Sequence, residues 1–540
     1  MTRIKSLPAF VCLFSCGLSY LVILPAFAQE EPIELDPIVI SGGKEKVVSD
    51  TPQSVSVLNQ NELDRKQPTT VGNGLTDLPG VKAFGSNRVL GEAFNIRGFG
   101  QDNSGGEGRL ILQVDGATKY YQQYRMGALF TDPELYKRVE VLRGPASSTL
   151  YGSGALAGVV TLETKDASDF LKDDDRDFAL RQKLEMTSNG YGGFSSTILA
   201  SRPTKNLEFL GAFIYRNNDD LKDGSGEQIR GSAFDAPSAL LKSRYEFGDG
   251  NSQAIELSYQ HWTTQEDEAE YEQTGTGSFG LVDREVTDKT VVLIYENTPL
   301  ESDLIDFKAR LSWSDTRVIQ ENAKNTLPPP FDTSVLFDDS TYAYENYQLS
   351  FENTSIFGLE EGLQTFLTAG VQGSWQTRTG EAERGFIRFQ PGGKDTKVAA
   401  FVQTEMVFPN IGLTLIPGLR VEHAALTSDA LNTNPNFNET VTNTAVSPKL
   451  AALFEINNNW SLFGSVAYTE RLPVLDEIFD GASGNLELDA ETGITYEIGT
   501  TYAINDIFVD NDALVTKLTV FRNDTENLIE RASQRDPFIN

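Results

Sequence analysis

The chain has 540 residues and a formal net charge of −32, from 77 acidic against 45 basic side chains, with only 2 histidines and 2 cysteines. So acidic a chain repels nucleic acid, and so few histidines leave a histidine-based metal or acid–base site thinly supplied. Both cysteines, Cys12 and Cys16, lie in the first 28 residues, so the rest of the chain needs no disulfide framework or thiolate metal site.

Residues 1–28 read MTRIKSLPAFVCLFSCGLSYLVILPAFA. Arg3 and Lys5, a largely apolar run and the closing Ala26-Phe27-Ala28 have the order of a secretory signal peptide, with cleavage expected after Ala28. A membrane anchor is the alternative. Cys16 as a lipid acceptor is disfavoured by Phe14 and by the long apolar stretch that follows. Loss of Arg3 and Lys5 would take the charge from −32 to −34. No later window offers the ~20 uninterrupted apolar residues of a membrane helix, so membrane residence would rest on strands closing into a barrel.

Residues 29–50 form a polar linker interrupted by LDPIVISGG. Residues 51–165 read as a small α+β domain. TPQSVSVLNQNELDR predicts a strand leading into a short helix, TVGNGLTDLPGV a helix stopped by Pro79-Gly80, and RLILQVDG and KRVEVL predict strands. The stretch RVEVLRGPASSTLYGSGALAGVVTLETKDA has glycines at 144, 152, 154 and 158. A phosphate-cradling loop would place a helix after them. Here an alternating, β-branched VVTLET follows and no G-K-[ST] lysine is present, which predicts a strand–turn–strand element with close backbone approach.

Residues 178–540 alternate apolar and polar side chains in segments such as LEFLGAFIYRNNDD, QAIELSYQHW, DKTVVLIYEN and WSLFGSVAYTERL. Each predicts a strand with one apolar and one polar face. Segment length, aromatics near segment ends and acidic loops favour a transmembrane antiparallel β-barrel over a soluble sandwich. Tyr215, Trp262, Tyr295, Trp313, Tyr347, Trp375 and Trp460 are candidate girdle residues. A barrel of about 22 strands is wide enough to need filling, and the 51–165 domain is a candidate plug.

FNIRGFG, ILQVDG, LFTDPELYKRVEVLRGPASSTLYGSGALAGVVTLETKDA and the early LDPIVISGG, in that spacing, closely resemble a TonB-dependent outer-membrane receptor from about Asp36 onward. The resemblance implies a mainly β fold with an α+β plug inside a large barrel, no enzyme chemistry, and uptake of a ligand across the bacterial outer membrane. Asp36, Pro37, Ile38, Val39 and Ile40 look like the TonB box, through which TonB and its inner-membrane energising proteins transmit the proton-motive force. An extended, β-prone pentapeptide suits strand addition to a partner's sheet. Arg97 and Arg143 resemble the family's plug arginines, expected to pair with barrel-wall carboxylates.

DDLKDGSGEQIRGSAFDAPSALLKSRYEF and the pair ERLPVLDEIF and GNLELDAETGITYEIGT look most like haem and haemoglobin receptors of the family. The pair is similar to their FRAP and NPxL boxes, with Arg471-Leu472-Pro473 keeping the first only in part. Two departures stand against haem. The resemblance places the family's plug histidine at Arg125, and no histidine lies between the two boxes. His261 and His423 fall in strands at unmatched positions. Lys119, Tyr120, Tyr121, Tyr124 and Arg125 in KYYQQYR are therefore the candidate ligand residues, since tyrosinate serves as an axial ligand in some haem proteins. Haem would be cargo, not a prosthetic group, and a resident metal is left unassigned. A ferric siderophore is the alternative cargo, and a non-transporting receptor or adhesin the alternative role. A secreted hydrolase would need a nucleophile or paired-carboxylate site that the two histidines hardly support. The chain closes on ERASQRDPFIN without a terminal aromatic strand, and about 20 residues per strand with its connection predicts about 18 strands. The reading is thus of a barrel incomplete at its carboxyl end, a fragment that as written need not transport.

Overall fold

The alternating half of the sequence forms one antiparallel sheet in the computed structural model. The structure describes residues 38–41, 44–46 and 51–539, apart from 86–90, 101–106, 122–125, 172–175, 230, 271–279, 326–338, 359–361, 384, 388–389, 430–438, 481–483, 506, 508–512 and 531–538. Fifteen long strands follow in chain order from Phe178–Met186 to Ala513–Glu526, each paired with the next, and the short Gly385–Phe386 adds to Gln364–Ala382. Against the expected number of about 18, the described residues form fifteen long strands. Individual strands reach 19 residues, as in Phe307–Asn325. At about 3.3 Å per residue such strands stand well clear of a ~30 Å hydrocarbon layer, so each consumes more chain than a strand cut to the membrane.

Connections at one end are short, as from Thr204 to Leu207 and Asn457 to Trp460. At the other they are long, as from Asn218 to Phe234 and Arg471 to Glu491. That asymmetry marks the long-loop end as extracellular. On the outward face, Leu241, Leu257, Leu293, Leu311 and Leu450 are exposed, as a lipid-facing band requires. Trp313, Tyr347 and Trp375 sit side by side across three strands, while Trp460 pairs with Tyr502 at the short-turn end. Tyr215 is outward and exposed, and the half-buried Tyr295 donates its hydroxyl to Gln253. Trp262 is a correction. It is fully buried inside the barrel, its ring 6.1 Å from Phe130. From Ala254 to Glu266 the even-numbered side chains face inward, so Trp262 shares the inner face with Gln260 and Thr264.

The sheet curls around the smaller domain. The first strand meets it through Arg181 on Asp64 at 2.6 Å, and the last through Lys517 donating to the Thr51 carbonyl at 2.6 Å. The inner domain is built on a five-stranded sheet ordered Val55–Asn59, Tyr136–Arg143, Gly158–Thr164, Leu110–Val114, Ala117–Thr118. Helix Gln60–Lys66 starts on a capping box between Asn59 and Glu62. The glycine-rich segment joins two antiparallel strands through a short helical turn, Ser148–Tyr151. No phosphate-facing helix follows Gly158, whose strand begins at that residue. A Cβ on Gly158 would lie 2.0 Å from the Leu142 carbonyl oxygen, at a φ of +133°.

The core is asymmetric. Leu129, Leu135, Tyr136 and Ala167 of the inner domain share one apolar cluster with Phe194, Ile198, Leu210, Ile214 and Leu240 of the first barrel strands. Elsewhere the inner wall is mostly polar, as Gln260, Thr290, Ser314, Gln376 and Gln403 show.

Gly158→Ala should destabilise the inner domain by at least about 2 kcal/mol, because both the clash and the backbone conformation oppose a side chain. Thermal unfolding with limited proteolysis of the detergent-solubilised protein reads this; an unchanged midpoint would contradict the close approach.

Candidate functional site

Charged side chains of the inner domain meet opposite charges on the barrel wall. Arg97, at a positive φ of 55° that its backbone bond to Gly80 supports, donates Nη1 to Glu497 and stacks 3.8 Å over the Phe521 ring. Both partners of the pair are buried. Arg143 lies beside the same pair, but its Nε donates to the Pro79 carbonyl at 3.0 Å. Burial, with Arg97 adjacent, pulls its guanidinium down to about 10. Wall pairing of the kind expected for both arginines is thus seen at Arg97, while Arg143 is held within its own domain.

The aromatic segment lies at the long-loop end. Lys119 is buried and gives Nζ to Asp288 at 2.9 Å and to Thr290 at 2.9 Å. Tyr120 reaches Ser374 at 3.4 Å, with Lys397 5.0 Å from its ring centre. Burial pushes the Tyr120 phenol above its ordinary value, so it carries its proton at neutral pH. Tyr121 is buried in an aromatic cluster with Met126 and Phe130 of its own domain and Trp262, Tyr342 and Tyr344 of the wall. Tyr124 and Arg125 lie outside the described residues, as do Asp36 and Pro37. Ile38, Val39 and Ile40 fall in a strand, Ile38–Ser41, which among the described residues pairs with Lys44–Lys46.

A second charged group sits beside this apex, and sequence reasoning missed most of it. Arg378 on the wall holds the Glu107 carboxylate, Asp476 at 3.3 Å and the Tyr344 hydroxyl at 3.0 Å. Arg471, in the segment resembling the FRAP box, donates to the Glu107 carbonyl and pairs with Glu477 at 2.7 Å and Glu491 at 3.2 Å. Arg109 also binds Glu491. The connection after Arg471 carries helix Leu475–Phe479, whose Ile478 and Phe479 are buried against Leu426 and Ile529. That extracellular segment is therefore tied to the inner domain by charge. The only signal in the sequence was a charged residue at inward parity on a strand, which does not say which partner it meets.

The histidines point elsewhere. His423 is on the outward face, bonded to Thr444 at 2.9 Å, and His261 is outward beside Tyr259. Among the described residues, no group of three or more His, Cys, Asp or Glu could hold a metal ion.

Glu92 fastens the inner domain internally. It is buried and accepts the Gly72 amide at 2.7 Å at the start of helix Val71–Leu75, while its own carbonyl accepts the Ala128 and Leu129 amides. Burial pushes its carboxyl up to about 7, against the lowering effect of bonds from Thr70, Gly72 and Val71.

Two outcomes follow from these contacts. Glu497→Gln, leaving a buried guanidinium without its carboxylate, should cost about 3–5 kcal/mol, while the joint replacement of Arg97 and Glu497 by leucine should recover most of it; thermal unfolding of the three proteins checks this. A carboxyl raised in the folded state stabilises fully below its unfolded value and loses that contribution as pH rises towards the folded one. Stability should therefore fall by up to about 3 kcal/mol between pH 4.5 and 7 and level off above. Glu92→Gln should flatten that slope, read from unfolding midpoints across the range.

Residues 218–540 match the family described as TonB dependent receptor-like, beta-barrel, and residues 47–159 match the TonB-dependent receptor plug domain. The TonB-dependent heme receptor A of Haemophilus ducreyi is 27% identical over 490 residues, covering 84% of this chain and 64% of the relative. The hemin receptor of Yersinia pestis is 25% identical over 477 residues, covering 85% of this chain and 63% of the relative. The chain thus spans under two-thirds of the length of these relatives. Among solved structures, a double mutant of the Serratia marcescens hemophore receptor HasR, in complex with its hemophore HasA and heme, superposes with a TM-score of 0.76 at 20% identity, covering 91% of this chain and 78% of that one. The FrpB iron transporter of Neisseria meningitidis gives 0.72 at 18%, covering 91% and 75%. With a plug seated in an antiparallel barrel and more than half its length matched by the barrel family, the chain belongs to the TonB-dependent receptors of the outer membrane.

Proposed function

We propose that the protein takes up an iron source across the outer membrane, and that the cargo is haem, free or drawn from haemoglobin. The seating of the plug carries the transport half of this reading. An inner domain held mainly by ion pairs and hydrogen bonds inside a polar wall can be displaced by a pull and reseated, because water can take over each lost partner. The cargo half rests on the relatives, several of which are heme or hemin receptors. Asp36–Ile40 is the proposed TonB-binding segment. The overlapping strand Ile38–Ser41 pairs, among the described residues, with Lys44–Lys46 and not with the plug sheet. Arg97, with Arg143 behind it, is the proposed latch. The segment with Lys119, Tyr120, Tyr121, Tyr124 and Arg125 is the proposed ligand region, cation and phenol replacing the histidines that the inner wall lacks.

The experiment is growth of a haem-requiring, siderophore-deficient host on haem as sole iron source. Expression of the protein should support growth, deletion of Asp36–Ile40 should abolish it without lowering surface haem binding, and removal of residues 120–125 should lower the binding itself. Growth on a ferric siderophore but not on haem would move the cargo to that class. Ligand binding with no dependence on residues 36–40 would make the protein a surface receptor.

A further inference from the structure

We infer that cargo passes the plug along one flank, through a preformed cavity between the plug hairpin Leu110–Thr118 and the wall opposite, and that this cavity is a transit site for a flat, carboxylate-bearing molecule. The inference rests on the transport reading above but not on haem as the cargo.

A cavity of about 480 Å³ lies between the plug and the wall, within the range of roughly 300–1,000 Å³ typical of small-molecule sites. Its lining runs from Glu107, Tyr120 and Val474 near the extracellular mouth to Arg244, Lys308 and Glu352 towards the short-turn ends of their strands. It therefore spans much of the depth of the barrel. On the plug side it is bounded by the edge of the five-stranded sheet, the hairpin whose turn is Asp115-Gly116, both at positive φ.

The two flanks of the plug are held differently. On the flank facing strands Gly193–Thr204 and Leu207–Asn218, plug and wall share an apolar core. Buried ion pairs reinforce it, Asp132 with Arg216 at 2.9 Å and Glu134 with Lys165 at 3.1 Å and Lys183 at 3.3 Å. On the cavity flank the hairpin meets the wall mainly through neutral hydrogen bonds, in which Gln348 exchanges bonds of 3.0 and 2.8 Å with the Thr118 backbone. Ion pairs border the hairpin instead, Lys119 with Asp288 just past it, Asp166 with Lys242 of the wall at 2.6 Å, and Glu107 with Arg378. The flank on which the hairpin shares no apolar cluster with the wall strands opposite it, among the described residues, is also the flank with the space.

Arg310 gives the cavity its chemistry. Its guanidinium has no ion-pair partner within 4.0 Å among the described residues, and its buried Nε has no hydrogen-bond partner. Gly116 stands against it so closely that a Cβ there would come 2.3 Å from the guanidinium carbon. A cation without a fixed partner, with the rings of Tyr120 and Tyr151 on the same lining, suits a flat apolar body with an anionic edge.

The test joins the hairpin to the wall. Thr118→Cys with Gln348→Cys, linked by a short cleavable bis-thiosulfonate, should lower energised haem uptake about tenfold and leave surface binding intact, with recovery on reduction. The control link, Ser148→Cys with Thr469→Cys, joins the helical turn Ser148–Tyr151 to strand Trp460–Arg471 through hydroxyls 3.1 Å apart, and neither residue lines the cavity. It should leave uptake within about twofold. Normal uptake with the hairpin linked, or equal loss with both links, overturns the inference. A cargo-independent arm uses Ser350→Cys in the lining. Its alkylation by a membrane-impermeant maleimide should rise about fivefold in energised over uncoupled cells and lose that rise when the hairpin is linked. An unchanged rate overturns the transit site. A rise in the absence of any haem uptake supports the site and removes only the choice of haem. Arg310→Gln, against Arg310→Lys, should slow uptake with unchanged surface binding; equal rates in the two would overturn the role of that charge.

Discussion

Everything about this architecture depends on fitting one folded domain, charges included, into a lumen it fills. A buried charge without a partner costs several kcal/mol, and a buried pair is nearly neutral against a well-packed apolar substitute. The pairs Arg97–Glu497, Arg109–Glu491, Lys119–Asp288, Asp132–Arg216 and Glu107–Arg378 therefore act less as glue than as an address. Each is favourable only in the seated orientation. Each can also be released by water, which solvates both members, whereas an apolar interface would lose about 25 cal/mol for every Å² re-exposed.

The exceptions to polar seating fall at two places. One is the flank on which the plug leaves for the barrel, where Leu135, Tyr136 and Ala167 pack with Phe194, Ile198 and Leu240. The other is the apex, where Tyr121, Met126 and Phe130 are closed in by Trp262, Tyr342 and Tyr344. A body fixed by apolar contacts on one flank and at its outer tip, and by hydrogen bonds and ion pairs that water can replace along the other flank, yields along that other flank first. The charged group around Arg378 and Arg471 stands at the head of that flank, where the extracellular helix Leu475–Phe479 touches the plug through Glu107.

How much of this could be read from the sequence follows from what is local and what is not. The strand period, the short helix after Val55–Asn59 and the strand–turn–strand element around Gly144–Gly158 depend on neighbours in the chain, and each was legible. Trp262 was not. Its placement turns on parity, and one position either way sends a side chain to the opposite face. The length of each strand was not legible either, because strand height beyond the membrane leaves no compositional mark, as the 19 residues of Phe307–Asn325 show. The pairing of Arg97 with a wall carboxylate was expected only through the resemblance to the family's plug arginines. That the carboxylate is Glu497, 400 residues away, was not.

The same alternation that builds the wall bears on how an iron-bearing cargo could be held. His261 and His423 occupy outward positions, so the wall contributes no imidazole to the lumen among the described residues. Phenols are what the inner face and the apex offer, and burial keeps that of Tyr120 protonated. A phenol becomes an iron ligand only by losing its proton, which is hardest where solvent is excluded. On the proposed reading, cargo would therefore bind best to an apex already loosened from its aromatic packing and from the Lys119–Asp288 tie. Linkage makes that relation reciprocal. A ligand that prefers the loosened apex must itself loosen it, so recognition outside and the first step of release inside would be one equilibrium.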